Sequence, residues 1–432
     1  MMSSADSQGG QPNGLFRGLT FVGLLLLFLP AAVHAESFDI SGYYKNFGVT
    51  LDRPDALQQQ DSPDILGMNI NKIRLKATWE VSDQFDLHSA YSFAFRIQDP
   101  HLYQESVFLA GPNPKGYRGV DFNTRLYPED RSTVGSFGIF HNLDRLYAGF
   151  SLPVADIYIG RQAIAWGTAR VINPTDIIAP YTFEELDTEE RIGVDALRIR
   201  IPIGFMGEID AGYVFGEDFD FAESAVFLRG KFYVARTDLS LLLVQFRRHL
   251  LMGVNMARSV EGAGVWLEAA YVLTSPFERE FLGTTGYDYF RGTAGLDYSF
   301  TGKLYGFVEY HYNQAGVASN RDYYFNVLQH PAYEDGAVYL MGQQYIIPGI
   351  SYQITPLITL NSQILYNVED RSLFLGPTIE YNISQNIYLG GGLFAGFGPG
   401  PERVPGQQPF PLIKSEFGTY PDLFYTNFRV YF

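Results

Sequence analysis

The chain has 432 residues, of which 46% are hydrophobic and 18% are charged, with no cysteine and a formal net charge of −16. The lack of cysteine excludes disulfides, thiolate metal sites and covalent haem attachment. The acidic balance argues against a protein that binds nucleic acid. After the first 35 residues, no apolar run approaches the roughly 20 residues of a membrane-spanning helix, which excludes a helical membrane protein.

The first 35 residues have the pattern of a secretory signal peptide. Arg17 precedes an apolar segment at 19–29, and Val33-His34-Ala35 supplies small residues at the positions that precede cleavage. This apolar segment is too short to span a bilayer. We therefore expect cleavage after residue 35, which leaves residues 36–432 as the mature domain.

From Glu36 onward the dominant sequence period is two. Ile73, Leu75 and Ala77 alternate with Arg74 and Lys76, and similar alternation recurs along the chain. This period is typical of a β-strand with one apolar and one polar face. No helical stripe of comparable length appears, so the sequence predicts an all-β fold.

The connections between the predicted strands alternate between short and long. Short turns such as Ser82-Asp83-Gln84 and Thr301-Gly302-Lys303 mark one rim. Long polar segments occur at about 51–67, 99–140, 167–192, 274–287, 316–342 and 398–421. The pattern predicts a transmembrane, antiparallel up-and-down β-barrel of about 18 strands, among them strands at 85–98 and 155–166. A count of 16 stays open, because residues 247–261 are hard to divide into strands.

The end of the chain carries the most specific local pattern. Phe424, Phe428, Val430 and Phe432 lie on one face of the last predicted strand. Here the chain resembles bacterial outer-membrane proteins, whose closing strand typically ends in an aromatic residue. The resemblance implies that Phe432 is an assembly signal, read by the barrel-assembly machinery.

A second local pattern spans about 40 residues. It consists of Ile159-Gly160-Arg161-Gln162-Ala163-Ile164-Ala165-Trp166-Gly167, then Asn173-Pro174-Thr175-Asp176, then Gly193-Val194-Asp195-Ala196-Leu197-Arg198. These segments resemble porin-like and alginate-export-like barrels of Gram-negative bacteria. The resemblance implies a location in the outer membrane, in contact with lipid and lipopolysaccharide, and leaves the transported solute open.

The polar face of the predicted strands carries many bases. The expected pore-lining bases are Lys72, Arg74, Lys76, Arg96, Arg145, Arg198, Arg200, Arg229, Lys231 and Arg291. A barrel of this strand number encloses an aqueous channel. Bases on neighbouring strands would hold a positive potential in its wall.

The long segment at 167–192 is rich in acids. They are Asp176, Glu184, Glu185, Asp187, Glu189 and Glu190. If this loop folds inward, its acids oppose the wall bases across a constriction, and the resulting field favours polar solutes. The alternative is a solvated surface loop that binds divalent cations together with lipopolysaccharide.

The histidines form no metal-binding or nucleophile motif, so we expect neither an enzyme nor a cofactor. The sequence predicts a passive channel for small hydrophilic solutes, anions among them. One alternative is an export pore for an acidic exopolysaccharide, working with polysaccharide-export partners. Another is a sheath around a multihaem cytochrome that crosses the membrane. Nucleic acid is not expected as a partner.

Overall fold

The computed structural model describes residues 37–57, 63–104, 116–122, 124–128, 135–180, 183, 185–277, 287–403 and 411–432. The predicted signal peptide and Glu36 lie outside these residues. The strands are β1 Ser37–Asp52, β2 Ile65–Ser82, β3 Phe85–Gln98, β4 Thr124–Tyr127, β5 Phe137–Ser151, β6 Asp156–Gln162, β7 Val194–Ile203, β8 Gly207–Val214, β9 Ala225–Val234, β10 Thr237–Phe246, β11 His249–Val260, β12 Ala263–Leu273, β13 Tyr289–Ser299, β14 Leu304–Asn313, β15 Gln344–Thr355, β16 Ile358–Asn367, β17 Leu373–Leu375, β18 Thr378–Ser384, β19 Ile387–Phe397 and β20 Asp422–Tyr431.

The described helices are short and lie in the connections. They are α1 His101–Gln104, α2 Tyr323–Gln329 and α3 Pro331–Glu334, with 3-10 turns at Asp55–Leu57, Glu217–Phe219, Phe221–Glu223, Asn320–Asp322 and Phe417–Thr419. Within the described ranges, no helix has the length and apolar character needed to cross a membrane.

The strands form one closed antiparallel barrel, because β1 pairs with both β2 and β20. β17 and β18 are two parts of one barrel strand, since each pairs with β16 and β19. β4 is an extra segment that pairs with β5. The barrel therefore has 18 strands, which confirms the predicted fold class and rules out the count of 16.

The two rims differ as the sequence indicates. Tight turns at 83–84, 204–206 and 261–262 define the short-turn end. The long connections at 53–64, 99–136, 163–193, 274–288, 314–343 and 398–421 define the long-loop end. The strand length and this asymmetry match a membrane-spanning barrel.

Side chains alternate across the wall. Leu75 and Leu296 point outward and are each 50% exposed, whereas their neighbours Arg74 and Asp297 point inward and are largely buried. An outer surface of exposed apolar side chains suits lipid as the surrounding solvent. The assigned register is therefore the one in which the apolar faces point out.

One strand ends earlier than predicted. β6 stops at Gln162 instead of continuing to Trp166. Gly167 then has φ of +127°, a conformation that favours glycine, and the chain leaves the wall for the lumen. β4 pairs with the part of β5 that β6 leaves unpaired. We call residues 163–193, which join β6 to β7, the lumen loop.

The hydrophobic core lies inside the barrel. Trp166 of the lumen loop packs against Phe227 of β9, with ring centroids 4.8 Å apart, within a large apolar cluster. Phe183 packs in a second cluster with Phe374 and with Phe417 of the 398–421 connection. Each such buried side chain contributes about 1.5–3 kcal/mol. The sequence indicated a polar inner face, but part of that face is apolar because inward loops pack on it.

Candidate functional site

A row of bases follows the inner face of β1 and β2. The register places Lys45 opposite Lys72, Tyr43 opposite Arg74 and Ser41 opposite Lys76. Because strand residues alternate between faces, all of these side chains point into the lumen. Like charges at this spacing repel one another, so the row requires nearby acids.

The lumen loop supplies those acids. Asp187 lies 2.7 Å from the Lys45 Nζ atom and 3.3 Å from the Lys72 Nζ atom. Glu189 lies 2.6 Å from Lys45 Nζ. Glu190 pairs with Lys76 and lies 3.7 Å from Arg74 Nη2. The loop therefore folds inward and sets its acids against the bases of the wall.

These ion pairs hold the loop acids in their ionised form. Burial alone would raise the pKa of Asp187, but the charges of Lys72 and Lys45 outweigh it and hold that pKa below its usual range. Burial also acts on Glu189, and hydrogen bonds from Lys45 and Tyr431 lower its pKa. Both carboxylates are therefore charged at neutral pH.

A more deeply buried cluster lies beneath this row. The Asp144 carboxylate accepts hydrogen bonds from Arg74 at 2.7 Å, from Arg145 at 2.6 Å and from Arg118 at 3.3 Å. It also accepts one from the Gly193 backbone N–H at 2.9 Å, at the end of the lumen loop. One buried carboxylate thus links three guanidinium groups to the loop.

Sequence reasoning missed Asp144 for a local reason. Ala90 pairs with Arg145 and Tyr91 pairs with Leu143, so Asp144 is the extra residue of a β-bulge. The bulge lets Asp144 reach the inner cluster beside Arg145. The period-two pattern cannot locate such an insertion.

Two wall carboxylates anchor the first half of the lumen loop. Glu268 of β12 accepts hydrogen bonds from the backbone N–H groups of Thr168, Ala169 and Thr175, at 2.8 to 3.1 Å. Successive backbone N–H groups of this kind form an anion-binding concavity. Glu268 is fully buried, so the loop is fixed to the wall at this point.

Glu309 of β14 is the second anchor. It accepts hydrogen bonds from the backbone N–H groups of Arg170 and Val171, and from Trp266 Nε1 at 2.9 Å. Glu309 is also fully buried. The two anchors together bind backbone N–H groups between Thr168 and Thr175, so they hold the first half of the lumen loop against β12 and β14.

The other predicted bases of the wall are distributed around the barrel. Arg198 forms a two-bond pair with Asp210, Arg200 pairs with Glu208, Arg229 lies 3.9 Å from Glu208, and Arg96 lies over the Phe140 ring at 4.5 Å. Lys231 is half-buried on the inner face, opposite Glu208. These residues face the lumen, as their strand parity indicates.

Two predicted pore-lining bases differ from the expectation in exposure. Arg74 is 2% exposed and Arg291 is 4% exposed. Arg291 donates to the backbone oxygen of Ala337 at 2.6 Å, beneath the 314–343 connection. Both side chains point inward, but inward-folded loops cover them, so neither lines open lumen.

The predicted loop acids do not all meet the wall bases. Asp176 is buried and pairs with Arg191 of the same loop at 2.5 Å. Burial raises the pKa of Asp176 to about 7. Glu185 is half-buried near the acidic segment in sequence, and Glu184 lies outside the described residues. The acids that pair with the wall bases are therefore Asp187, Glu189 and Glu190.

A cavity of about 470 Å³ lies between the lumen loop and the wall of β18, β19 and β20. Its lining is Phe47, Leu186, Asp187, Thr188, Glu189, Glu380, Asn386, Tyr388, Asn427, Arg429 and Tyr431. The lining is polar, with acids and a base on facing surfaces. Its size suits small polar molecules.

The chain matches no protein-family model and no curated protein sequence. Its fold does match solved structures. A BenF-like porin from Pseudomonas fluorescens Pf-5 aligns with a TM-score of 0.55 over 92% of this chain and 99% of that chain, at 11% identity. The chain has the fold of a porin.

Two further structures show the same porin fold. OccK5 (OpdH) of Pseudomonas aeruginosa aligns with a TM-score of 0.57 over 93% of this chain and 99% of that chain, at 9% identity. OpdK of Pseudomonas aeruginosa, in a structure with vanillate, aligns with a TM-score of 0.52 over 91% and 98%, at 7% identity. Identities this low transfer no individual residues.

Proposed function

We propose that this protein is an outer-membrane channel for passive passage of small hydrophilic solutes, small organic anions among them. One observation carries the proposal. Inside a closed barrel, the acidic segment of the lumen loop lies against a row of wall bases, beside a polar cavity. Fixed charges of both signs beside a polar cavity favour polar solutes over apolar ones.

The exposure of the ion pairs supports a role for the bases. Lys76 is 37% exposed and its partner Glu190 is 20% exposed; Arg170 is 51% exposed and its partner Asp297 is 11% exposed. The cation of each pair is thus the member that a solute meets. Other pairs have the reverse order, since Glu380 is more exposed than Arg429, and Glu189 is 36% exposed whereas Lys45 is 1% exposed. The lumen therefore presents charges of both signs to a solute.

The structural neighbours are consistent with this function. The OpdK structure contains vanillate, a small carboxylate, and the BenF-like protein is named a porin. An outer-membrane location agrees with the apolar outer surface of the barrel. Lipid and lipopolysaccharide would surround this surface, and the barrel-assembly machinery would insert it.

The alternatives fit the lumen less well. A multihaem cytochrome or an acidic polysaccharide would need a wide passage through the barrel. Instead, two apolar clusters join the lumen loop and the 314–343 and 398–421 connections to the wall. The packed interior favours small solutes over a threaded protein or polymer.

Osmotic swelling of liposomes tests the proposed size limit. Vesicles that contain the purified chain should swell in a pentose, an amino acid or a small carboxylate, and should resist a large dextran. Swelling that is the same with dextran would indicate a wide export pore. Intact vesicles that respond to none of these solutes, although the barrel is folded, would contradict the channel.

A further inference from the structure

Three tyrosine rings form a row on the inner face where the barrel closes. Tyr43 of β1 lies edge to face with Tyr431 of β20, and Tyr431 lies edge to face with Tyr388 of β19. The ring centroids are 5.8 Å apart in both pairs, and the planes of Tyr388 and Tyr431 are 88° apart. Tyr388 and Tyr431 also line the cavity between the lumen loop and the wall. The cavity therefore has an aromatic corner made of two perpendicular rings.

Cations of the chain already lie over the two outer rings of this row. Lys45 Nζ is 4.2 Å from the centroid of the Tyr43 ring, and the Arg429 guanidinium is 5.4 Å from that of Tyr388. Among the described residues, no lysine or arginine lies over the middle ring, Tyr431, although Arg429 hydrogen-bonds its hydroxyl. The face of an aromatic ring attracts a cation. The middle ring is thus available to a cation from outside the chain.

Acidic groups dominate the surface that faces the cavity. Glu380 is 42% exposed, whereas its partner Arg429, the base of the lining, is 21% exposed. Glu189 is 36% exposed and accepts a hydrogen bond from the Tyr431 hydroxyl at 2.6 Å. Lys45, which pairs with Glu189, is 1% exposed and is not part of the lining. A solute in the cavity therefore meets carboxylate oxygens more readily than it meets a cation of the chain.

One further acceptor of the lining is buried without a partner. Asn427 is an inward residue of β20, opposite Phe47 on one side and Gly390 on the other. Its Oδ1 atom is inaccessible to solvent and, within the described part of the chain, accepts no hydrogen bond. A buried acceptor without a donor is destabilising. This atom therefore favours a ligand that donates an N–H group.

We propose that the cavity is a binding site for the ammonium group of a small organic cation. Aromatic rings together with carboxylates are a common means of recognising such groups. A primary ammonium carries three N–H donors, and beside Tyr431 the acceptors for them belong to Glu189, Glu380 and Asn427. A solute with a carboxylate and no cationic group would instead face like charge there.

This inference rests on the proposed function and deepens it, because it names a class of solute for the cavity itself. Lys72 and Lys76, which carry exposed charge in the row of wall bases, are not part of the cavity lining. The bases that attract anions and the site for an ammonium group are therefore separate regions of the lumen. A solute that carries both charges can use both regions.

Ligand-observed NMR measures this binding without any need for conduction. Saturation transfer from the folded full chain in a nonionic detergent is recorded with butylammonium, and with butanoate as an anion of similar size. We expect butylammonium to bind about tenfold more tightly, because the lining carries three acids and one base. A barrel that binds butylammonium but never conducts would contradict the channel and leave this inference standing.

Glu380→Gln tests the charge of the site. This substitution removes an exposed acid and leaves Arg429 without its carboxylate partner in the lining. Binding of butylammonium should fall about tenfold, and binding of butanoate should increase. Asp83→Asn removes the same charge from an exposed turn at the short-turn end, so both affinities should stay as in the parent.

Tyr431→Leu tests the ring. The loss of the aromatic face should weaken butylammonium binding about fivefold. Tyr352→Leu is the matched control, because Tyr352 is 41% exposed on the outer face of the barrel. Heat-modifiable migration on gels selects folded barrels in every sample, and Glu380→Gln tests the site independently if Tyr431→Leu does not assemble.

Three outcomes would overturn the inference. Folded parent chains that bind neither probe, or both equally, would show that the cavity does not select an ammonium group. Tighter binding of butanoate by the parent would assign the cavity to anions through Arg429. Butylammonium binding that is the same in the parent, Glu380→Gln and Tyr431→Leu would place the cation elsewhere in the lumen.

Discussion

Neutralising two acids of the lumen loop should both loosen the loop and change ion selectivity. The perturbation is the double variant Asp187→Asn with Glu189→Gln. In the parent, Lys45 is 1% exposed and pairs with both carboxylates, at 2.7 and 2.6 Å. The variant leaves this ammonium buried and without an anionic partner.

The magnitude follows from burial. Breaking a fully buried ion pair costs about 3–5 kcal/mol. Because both carboxylates are partly exposed, we expect the free energy that holds the lumen loop against the wall to fall by about 2 kcal/mol. This makes local opening of the loop about thirtyfold more frequent. Two negative charges also disappear from the lumen, so the potential beside the cavity becomes more positive.

Planar-bilayer recording in a salt gradient measures the effect. The reversal potential of the double variant should shift toward anion preference, and the shift should shrink as ionic strength rises. Limited proteolysis should cut the lumen loop faster. The control Glu217→Gln with Glu402→Gln removes the same charge from exposed positions at the long-loop end. An equal shift in the control, or none in the variant, would refute this account of the loop.

Three other perturbations have defined outcomes. Replacing both anchors, Glu268→Gln with Glu309→Gln, should raise conductance and its noise, because the first half of the loop loses its charged acceptors; unchanged current traces would contradict anchoring. Burial raises the pKa of Glu416, in the 398–421 connection, to about 7 from an ordinary value of 4.5. Between pH 4.5 and pH 7, the folded connection therefore binds more protons than the unfolded chain does. The stability of the 398–421 connection should therefore fall as pH rises from about 4.5 to about 7 and then level off. Limited proteolysis of this connection should be faster at pH 8 than at pH 5, and Glu416→Gln should remove the difference. A pH dependence retained in that variant would exclude Glu416 as its source. Phe432→Asp places a charge on the outer face of the barrel, where Phe432 is 58% exposed. It should reduce the amount of heat-modifiable protein in the outer membrane. Assembly equal to that of the parent would show that this position tolerates charge.

The barrel was predictable because its strands follow a simple physical period. β3 runs from Phe85 to Gln98 as predicted, and most other strands agree within a few residues. Lipid contact on one face and the lumen on the other impose alternation on every strand. The predicted end of β6 was wrong, because the apolar residues Ile164 and Trp166 continue the pattern while packing inside the barrel.

The site was only partly predictable. The inward position of Lys72 and Lys76 follows from strand parity, and the length and acidity of the loop suggested its opposing role. Lys45 escaped notice because its neighbours on the inner face of β1, Tyr43 and Phe47, are aromatic. Likewise, nothing in the sequence pairs Glu268 with backbone N–H groups about 100 residues earlier. Contacts of this kind depend on the folded path of the loop.

Single-channel recording of the purified full chain tests the central claim most directly. Heat-modifiable barrels inserted into a planar bilayer should produce discrete conductance steps, and the steps should become larger when Glu268 and Glu309 are both replaced by Gln. Folded, inserted barrels that never conduct, with or without these substitutions, would contradict the existence of a water-filled path through the lumen.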